Sequence, residues 1–319
     1  MSAFAAGGTV LNAKFWGRMA LAMGLAITPR AQNSSALFSP TRAFAAPEAG
    51  LVIDGSYRND YFALSYPIPR HWTQGLAGPP PSETGYYVLT SVKPAATFKG
   101  PAKGTILLAA WDLFFVARPA ESVLEFVKNI GGNLPKIYTV DAPPSEVHIA
   151  GHSFAQLEYS APAAQLHWKV LATEIRCHMV EFIFTSADNG LLESLVRQMS
   201  GMKLPGEAQA RAGSGGEQAP PCVKGYASGS NVLHKVEPAM AGPRFTTAPA
   251  RVIIGADGKV KHIHVISASP DQAKSIQDAL AQWTFKPYMQ DGVPAEVETG
   301  ILFKFPPDGT KLPPAGEKY

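Results

Sequence analysis

Ala250 to Pro306 reads ARVIIGADGKVKHIHVISASPDQAKSIQDALAQWTFKPYMQDGVPAEVETGILFKFP, and each local signal in it agrees with its neighbours. Arg251 to Ile254 reads as a strand, Asp257-Gly258 is a two-residue hairpin signal, and Val260 to Ile266 is the return strand. Ser269-Pro270-Asp271-Gln272 then places an N-cap serine before a proline at the first helical position. Glutamine follows three residues after the cap, which satisfies amide donors that a helix start otherwise leaves orphaned. Ala273, Ile276, Leu280 and Trp283 share one helical face, and Pro287 is expected to stop the helix because its ring cannot continue the ladder. A second turn, Asp291-Gly292, leads into Val297, Thr299, Ile301, Phe303 and Phe305, alternating with Glu296, Glu298, Leu302 and Lys304. The spacing predicts ββαβ, a three-stranded sheet under one helix.

Upstream, composition changes sharply once. Pro205 to Gly225 reads PGEAQARAGSGGEQAPPCVKG, in which small and turn-forming residues displace the large apolar ones a core needs. It is expected to be a linker spanning about 25 Å as a flexible coil. Before it, Tyr61 to Tyr66, Tyr86 to Val92 and Thr105 to Val116 read as strands. Ala120 to Ile130 reads as a helix, with Val123, Leu124, Phe126, Val127 and Ile130 on one face and Gly131-Gly132 at its end. Strand patterns return from His148 to Tyr159, Gln165 to Ile175 and His178 to Thr185, and Leu191, Leu192, Leu195, Val196 and Met199 mark a last helix. The order predicts an N-terminal antiparallel sheet with covering helices, so the whole chain is of the α+β class.

The chain has 319 residues and a formal charge of +3. Residues 1 to 45 contribute Lys14, Arg18, Arg30 and Arg42 and no acid; removing those four charges from +3 leaves −1. A nearly neutral remainder offers no footprint for nucleic acid and no polybasic patch for an anionic membrane. The acid-free start reads as a secretory signal: basic residues precede the apolar run Met19 to Ile27, and Ala43-Phe44-Ala45 is a small-x-small cleavage site. Cleavage near Ala31 or Gln32 is the alternative, and an organellar transit peptide is the competing reading of the same segment. The run is too short to span a bilayer, and no integral membrane segment is expected in the mature chain. The expected organisation is a signal peptide over 1–45, an α+β domain over 46–204, a linker over 205–225, a C-terminal domain over 226–306 and a tail over 307–319. The expected location is the periplasm or cell envelope.

Two stretches carry family resemblances. Tyr57 to Phe62, Ser65-Tyr66-Pro67, Trp72, Gly151 and Phe154 to Tyr159 resemble the PsbP-like and DcrB-like envelope domains over roughly residues 55 to 204, through spaced aromatics and turns. Asp257-Gly258-Lys259-Val260, Ala279 to Trp283, Phe285-Lys286-Pro287, Asp291-Gly292 and the strand through Phe303 resemble the TonB C-terminal domain. That resemblance implies a small sheet that contacts outer-membrane transporters by pairing with an extended peptide. Val232 to Thr247 matches the family only loosely, and the family's membrane-spanning start and long Pro-rich spacer are missing. Val297, Thr299, Ile301 and Phe303 are the expected peptide-binding edge, and Trp283, Phe285 and Pro287 the expected structural core. The expected partner is an envelope protein or a transporter peptide, and a homodimer through the C-terminal domain is an alternative.

Catalytic patterns find little context. Gly151-His152-Ser153-Phe154-Ala155 superficially matches a hydrolase elbow, yet Ala155, Leu157 and Tyr159 continue it as a strand and the final glycine is missing. Gly213-Ser214-Gly215-Gly216 lacks the strand and the Gly-Lys-Ser/Thr of a phosphate loop. His262 and His264 share one strand face, but a stable metal site wants three or four ligands, so they read as a solvated face. Glu296 and Glu298 also share a face and read as surface carboxylates. Cys177 and Cys222 fit no zinc or redox motif; an oxidising compartment permits their pairing, and free thiols are the alternative. No cofactor is expected, and the chain reads as a binding protein rather than an enzyme; a component of TonB-type energy transduction to outer-membrane transporters is the alternative, and a hydrolase a minor one.

Overall fold

In the computed structural model, residues 46–77, 80–100, 103–116, 120–206, 220–239 and 247–305 are described. The expected signal peptide, residues 207–219 of the expected linker and the expected tail lie outside them.

A seven-stranded antiparallel sheet forms the N-terminal part. It comprises β4 (Trp72–Ala77), β5 (Tyr86–Pro94), β6 (Gly104–Asp112), β7 (Thr139–Ile149), β8 (His152–Ala161), β9 (Leu166–Ile175) and β10 (His178–Ser186), in the order β4-β5-β6-β10-β9-β8-β7. The chain runs out along β4 to β6, crosses to the far edge through helix α1 (Val123–Gly132), and returns strand by strand to lie against β6. Alternation along β6 and β10 sends side chains to two cores. Ile106, Leu108, Val180, Phe182 and Phe184 face helix α2 (Asn189–Gln198) and the small sheet β1 (Leu51–Ile53), β2 (Ser56–Asn59) and β3 (Leu64–Pro67). Leu107, Met179 and Ile183 face α1 with Val127, Leu157 and Tyr159. Both helices begin on side-chain caps: Ser122 accepts from the Glu125 amide, and Asp188 from the amides of Gly190 and Leu191.

The stretch expected as one strand from His148 is a hairpin. Ala150 and Gly151, both at positive φ, turn β7 into β8. β7 escapes pattern reading because it carries Pro143-Pro144, which only an edge strand tolerates, and its pairing shifts register between Ala142 and Ser145.

The C-terminal sheet has the order β13-β12-β17, from β12 (Thr247–Ile254), β13 (Val260–Val265) and β17 (Val297–Lys304), all antiparallel. Helix α3 (Pro270–Leu280) covers one face, opened by the full capping box of Ser269 and Gln272. Ala248, Ala250, Val252 and Ile254 of β12 pack beneath it with Ile276, Leu280, Trp283, Phe285 and Phe303. Two short pairs accompany this frame: β11 (Val232–His234) with β14 (Thr284–Phe285), and β15 (Tyr288–Gln290) with β16 (Val293–Ala295). Asp291-Gly292 turns the second pair with both φ positive, as a two-residue hairpin requires.

Two expectations need correction. The Asp257-Gly258 hairpin is not a two-residue turn; residues 255–259 connect β12 to β13, closed by the Lys259 carbonyl accepting from the Gly255 amide at 2.8 Å. Gly258 is obligatory there, at φ +76 with a Cβ position 2.1 Å from the Phe285 carbonyl oxygen. Pro287 is exposed and belongs to no core. The helix ends at Leu280, because Trp283 turns inward, its indole N–H donating to the Val236 carbonyl at 2.7 Å, and Phe285 must pair with β11.

Candidate functional site: a charged seam and an open strand edge

Residues facing away from α3 on the C-terminal sheet meet the N-terminal domain. In register, His262 lies beside Ile253 and His264 beside Arg251 on one flank, with Glu298 beside Ile253 and Gly300 beside Arg251 on the other. They face Asp112 at the end of β6, His178 at the start of β10, and the turn between β9 and β10. Arg251 is at the centre. Its Nη1 lies 2.8 Å from Asp112 Oδ2 and its Nε 2.9 Å from Glu298 Oε1, while its Nη2 donates to the Arg176 carbonyl at 3.3 Å. Its guanidinium also sits 4.4 Å from the centre of the Phe114 ring. Arg176 stands 3.6 Å from Glu298 Oε2 and stacks 4.0 Å over the Tyr61 ring, donating to the Tyr61 carbonyl at 3.1 Å. Gly300 allows the approach, since a Cβ there would fall 2.5 Å from that of Phe114.

The expectation of a solvated face is therefore overturned for Glu298, which is 4% exposed, and for His262 and His264, which are half-buried. His264 lies 3.5 Å from Glu48. Glu296 does remain at the surface, paired with Lys261. A period-two pattern shows which residues share a face but not what covers it.

Burial dominates the electrostatics. It pushes Asp112 above the usual carboxylate range, and the nearby Arg251 only partly offsets this. Burial raises Glu298 too, but there Arg251 and Arg176 together outweigh it and hold the carboxyl below its ordinary value. Burial and the Arg251 charge keep His178 well below the ordinary imidazole range. A neutral His178 fits the geometry: Nδ1 donates to the Arg176 carbonyl at 2.8 Å, leaving the Nε2 lone pair for Arg251 at 3.3 Å. Two cations and two carboxylates thus share a buried seam.

The space left within it is a cavity of about 20 Å³, bordered by Tyr61, Arg176, Arg251, His262, His264 and Glu298. That is room for one water-sized group and too little for an organic substrate. Among the described residues, no three of His, Cys, Asp and Glu are placed to hold a metal. Ser153 lies within β8 opposite His148, on a strand rather than an elbow. Gly213 to Gly216 fall outside the described residues.

Cys177 and Cys222 are joined as a disulfide, with Cα atoms 6.2 Å apart. Cys177 shares the β9–β10 turn with Arg176, both at positive φ. The segment around Cys222 runs parallel to β17: the Glu298 amide donates to the Pro221 carbonyl, and the Val223 amide to the Glu298 carbonyl, each at 2.9 Å. Because Glu298 points its backbone groups outward, so do Gly300, Leu302 and Lys304. This parity corrects the expected contact set. Val297, Thr299 and Phe303 are buried on the α3 side with Ile301 half-buried, whereas Leu302 and Lys304 are exposed. Among the described residues no strand pairs with Gly300, Leu302 and Lys304 on the side away from β12, and these three form the open edge.

Residues 246–306 match the family described as Gram-negative bacterial TonB protein C-terminal. The TonB-type segment starts beside β12 and ends just past β17, so it holds Arg251, Glu298 and the open edge but excludes Cys222. Among solved structures, the solution structure of cyanobacterial PsbP (CyanoP) from Synechocystis sp. PCC 6803 is similar over 47% of this chain and 91% of its own, at 11% identity and a TM-score of 0.35. No curated protein matches the chain. No helix among the described residues is long and apolar enough to cross a membrane.

Proposed function

We propose that this is an exported envelope protein that works by binding rather than catalysis, docking an extended segment of an envelope partner on the edge of β17. The TonB-type segment speaks for a Gram-negative envelope protein. The observation that carries the docking reading is that the edge already pairs with a backbone segment: residues 221–223 form a parallel bridge with Glu298 through two backbone hydrogen bonds. Beyond them Gly300, Leu302 and Lys304 continue the same row of donors and acceptors, the template for strand addition. Backbone pairing supplies affinity in this mode, and the exposed Leu302 and Lys304 side chains supply selectivity.

The test is amide-shift mapping of the full chain against synthetic ten-residue peptides taken from periplasm-facing segments of outer-membrane transporters. Shifts centred on Gly300 to Lys304 are expected; saturation binding that moves only α3 or the loops refutes strand addition. A part in energising transport to outer-membrane transporters is the second reading, favoured by the TonB-type match itself. Crosslinking that recovers the protein with an inner-membrane motor complex selects it over simple docking.

A further inference from the structure

The edge of β17 carries its own occupant. We propose that the Cys177–Cys222 disulfide is a redox latch that holds residues 221–223 against Glu298, so that reduction uncovers that backbone and lengthens the docking edge. The inference rests on reading this edge as the docking surface.

Apart from the disulfide, the segment has only a short backbone hold. Its backbone hold on β17 is the two hydrogen bonds at Glu298. Pro220 and Pro221 have no N–H, so the segment has few further donors to offer. Two such hydrogen bonds contribute less than the conformational entropy lost in ordering four residues. The buried Pro220 ring and the half-buried Val223 side chain add apolar contact. The covalent bond supplies what is missing, by removing the alternative positions of Cys222.

The anchor, by contrast, stays put without it. Arg176 is stacked on Tyr61 and donates to its carbonyl, and its own carbonyl accepts from His178 and Arg251. Downstream, Tyr226 is buried and its hydroxyl donates to the Lys286 carbonyl at 2.7 Å. Release is thereby confined to the few residues around Cys222. Both cysteines are half-buried rather than sealed in a core, so a reductant can reach them.

The chemistry is thiol–disulfide exchange with a dithiol. One thiolate of the dithiol attacks a sulfur of the Cys177–Cys222 bond, forming a mixed disulfide and expelling the other cysteine as thiolate. The second thiol then closes on the first, so the dithiol is oxidised by two electrons and Cys177 and Cys222 end as two thiols.

Residue-resolved hydrogen exchange of the full chain, oxidised and after dithiothreitol, tests the latch without any peptide. The Glu298 and Val223 amides are expected to exchange at least tenfold faster in the reduced protein. The Thr299 and Ile301 amides, which pair with β12, stay as they were. Cys222→Ser under oxidising conditions should reproduce the reduced pattern. Unchanged protection of Glu298 with both thiols free overturns the latch, even if a peptide shifts Gly300 to Lys304. Acceleration spread equally through β12 and β17 also overturns it, since the disulfide then secures the whole sheet. Release of Glu298 with no peptide response in either redox state leaves the latch standing and overturns the docking reading alone.

Discussion

Replacing Arg251 with methionine should destabilise the protein by about 5 kcal/mol near neutral pH. Arg251 is the cation closest to two carboxylates, 2.8 Å from Asp112 and 2.9 Å from Glu298, and all three groups are essentially buried. Removing one partner of a buried ion pair costs about 3 to 5 kcal/mol, because it strands a charge that water no longer solvates. Here two charges are stranded. Glu298 retains Arg176 at 3.6 Å, and Asp112 retains the Phe114 amide at 3.0 Å, so the total stays near the top of that range rather than doubling it. Urea unfolding followed by tryptophan fluorescence measures it. The penalty must shrink on acidification, since protonating the stranded carboxylates removes the buried charge. Asp112, already raised by burial, takes up its proton first as pH falls. Arg251→Met combined with Asp112→Asn and Glu298→Gln should recover more than half of the loss. A loss below about 1 kcal/mol at pH 7, or one equally large at pH 5, would mean that water reaches the seam and that the pairing is worth no more than a surface bridge.

Trp283→Ala should cost about 3 to 5 kcal/mol, since it empties a core site and leaves the Val236 carbonyl without its indole donor; an unchanged urea midpoint refutes this. Glu181 is fully buried on the α1 side of the sheet, and burial raises its carboxyl to about 7, the Trp111 indole hydrogen bond opposing this only in part. Its folded-state proton affinity exceeds the unfolded one, so the stabilisation is complete below about pH 4.5 and is lost as pH rises to about 7, by about 3 kcal/mol. Glu181→Gln should flatten that part of the stability curve. A wild-type protein whose midpoint rises, rather than falls, relative to the variant between pH 5 and 8 contradicts the assignment.

What could be read from the sequence was whatever is decided locally. The Asp291-Gly292 turn, the Ser269/Gln272 capping box and the alternation of β17 depend on residues a few positions apart, and all three appear as read. β7 was hidden by Pro143-Pro144, because a sequence pattern does not show that the strand lies at an edge. The seam was hidden for a different reason. Asp112 and Arg251 are 139 positions apart, and no periodicity connects them. One sign was present: Arg251 interrupts an otherwise apolar run from Ala248 to Ile254, and a charge in a central strand needs a partner across the sheet's second face. Glu298 was less conspicuous, because its strand also carries Thr299, Gly300 and Lys304.

Ile266, just past β13, belongs to the apolar cluster of the N-terminal domain rather than to the core under α3. A fragment cut in the linker would therefore leave Ile266, Arg251 and Glu298 in water with nothing to cover them. Synthesis runs from the N-terminus, so Asp112 and His178 emerge and can be positioned before Arg251 exists to meet them. The C-terminal sheet then folds onto a surface already made, much as a casting takes the shape of its mould. Its second face becomes native only on that surface, and grafting the TonB-type segment onto another carrier would transplant a half-finished interface.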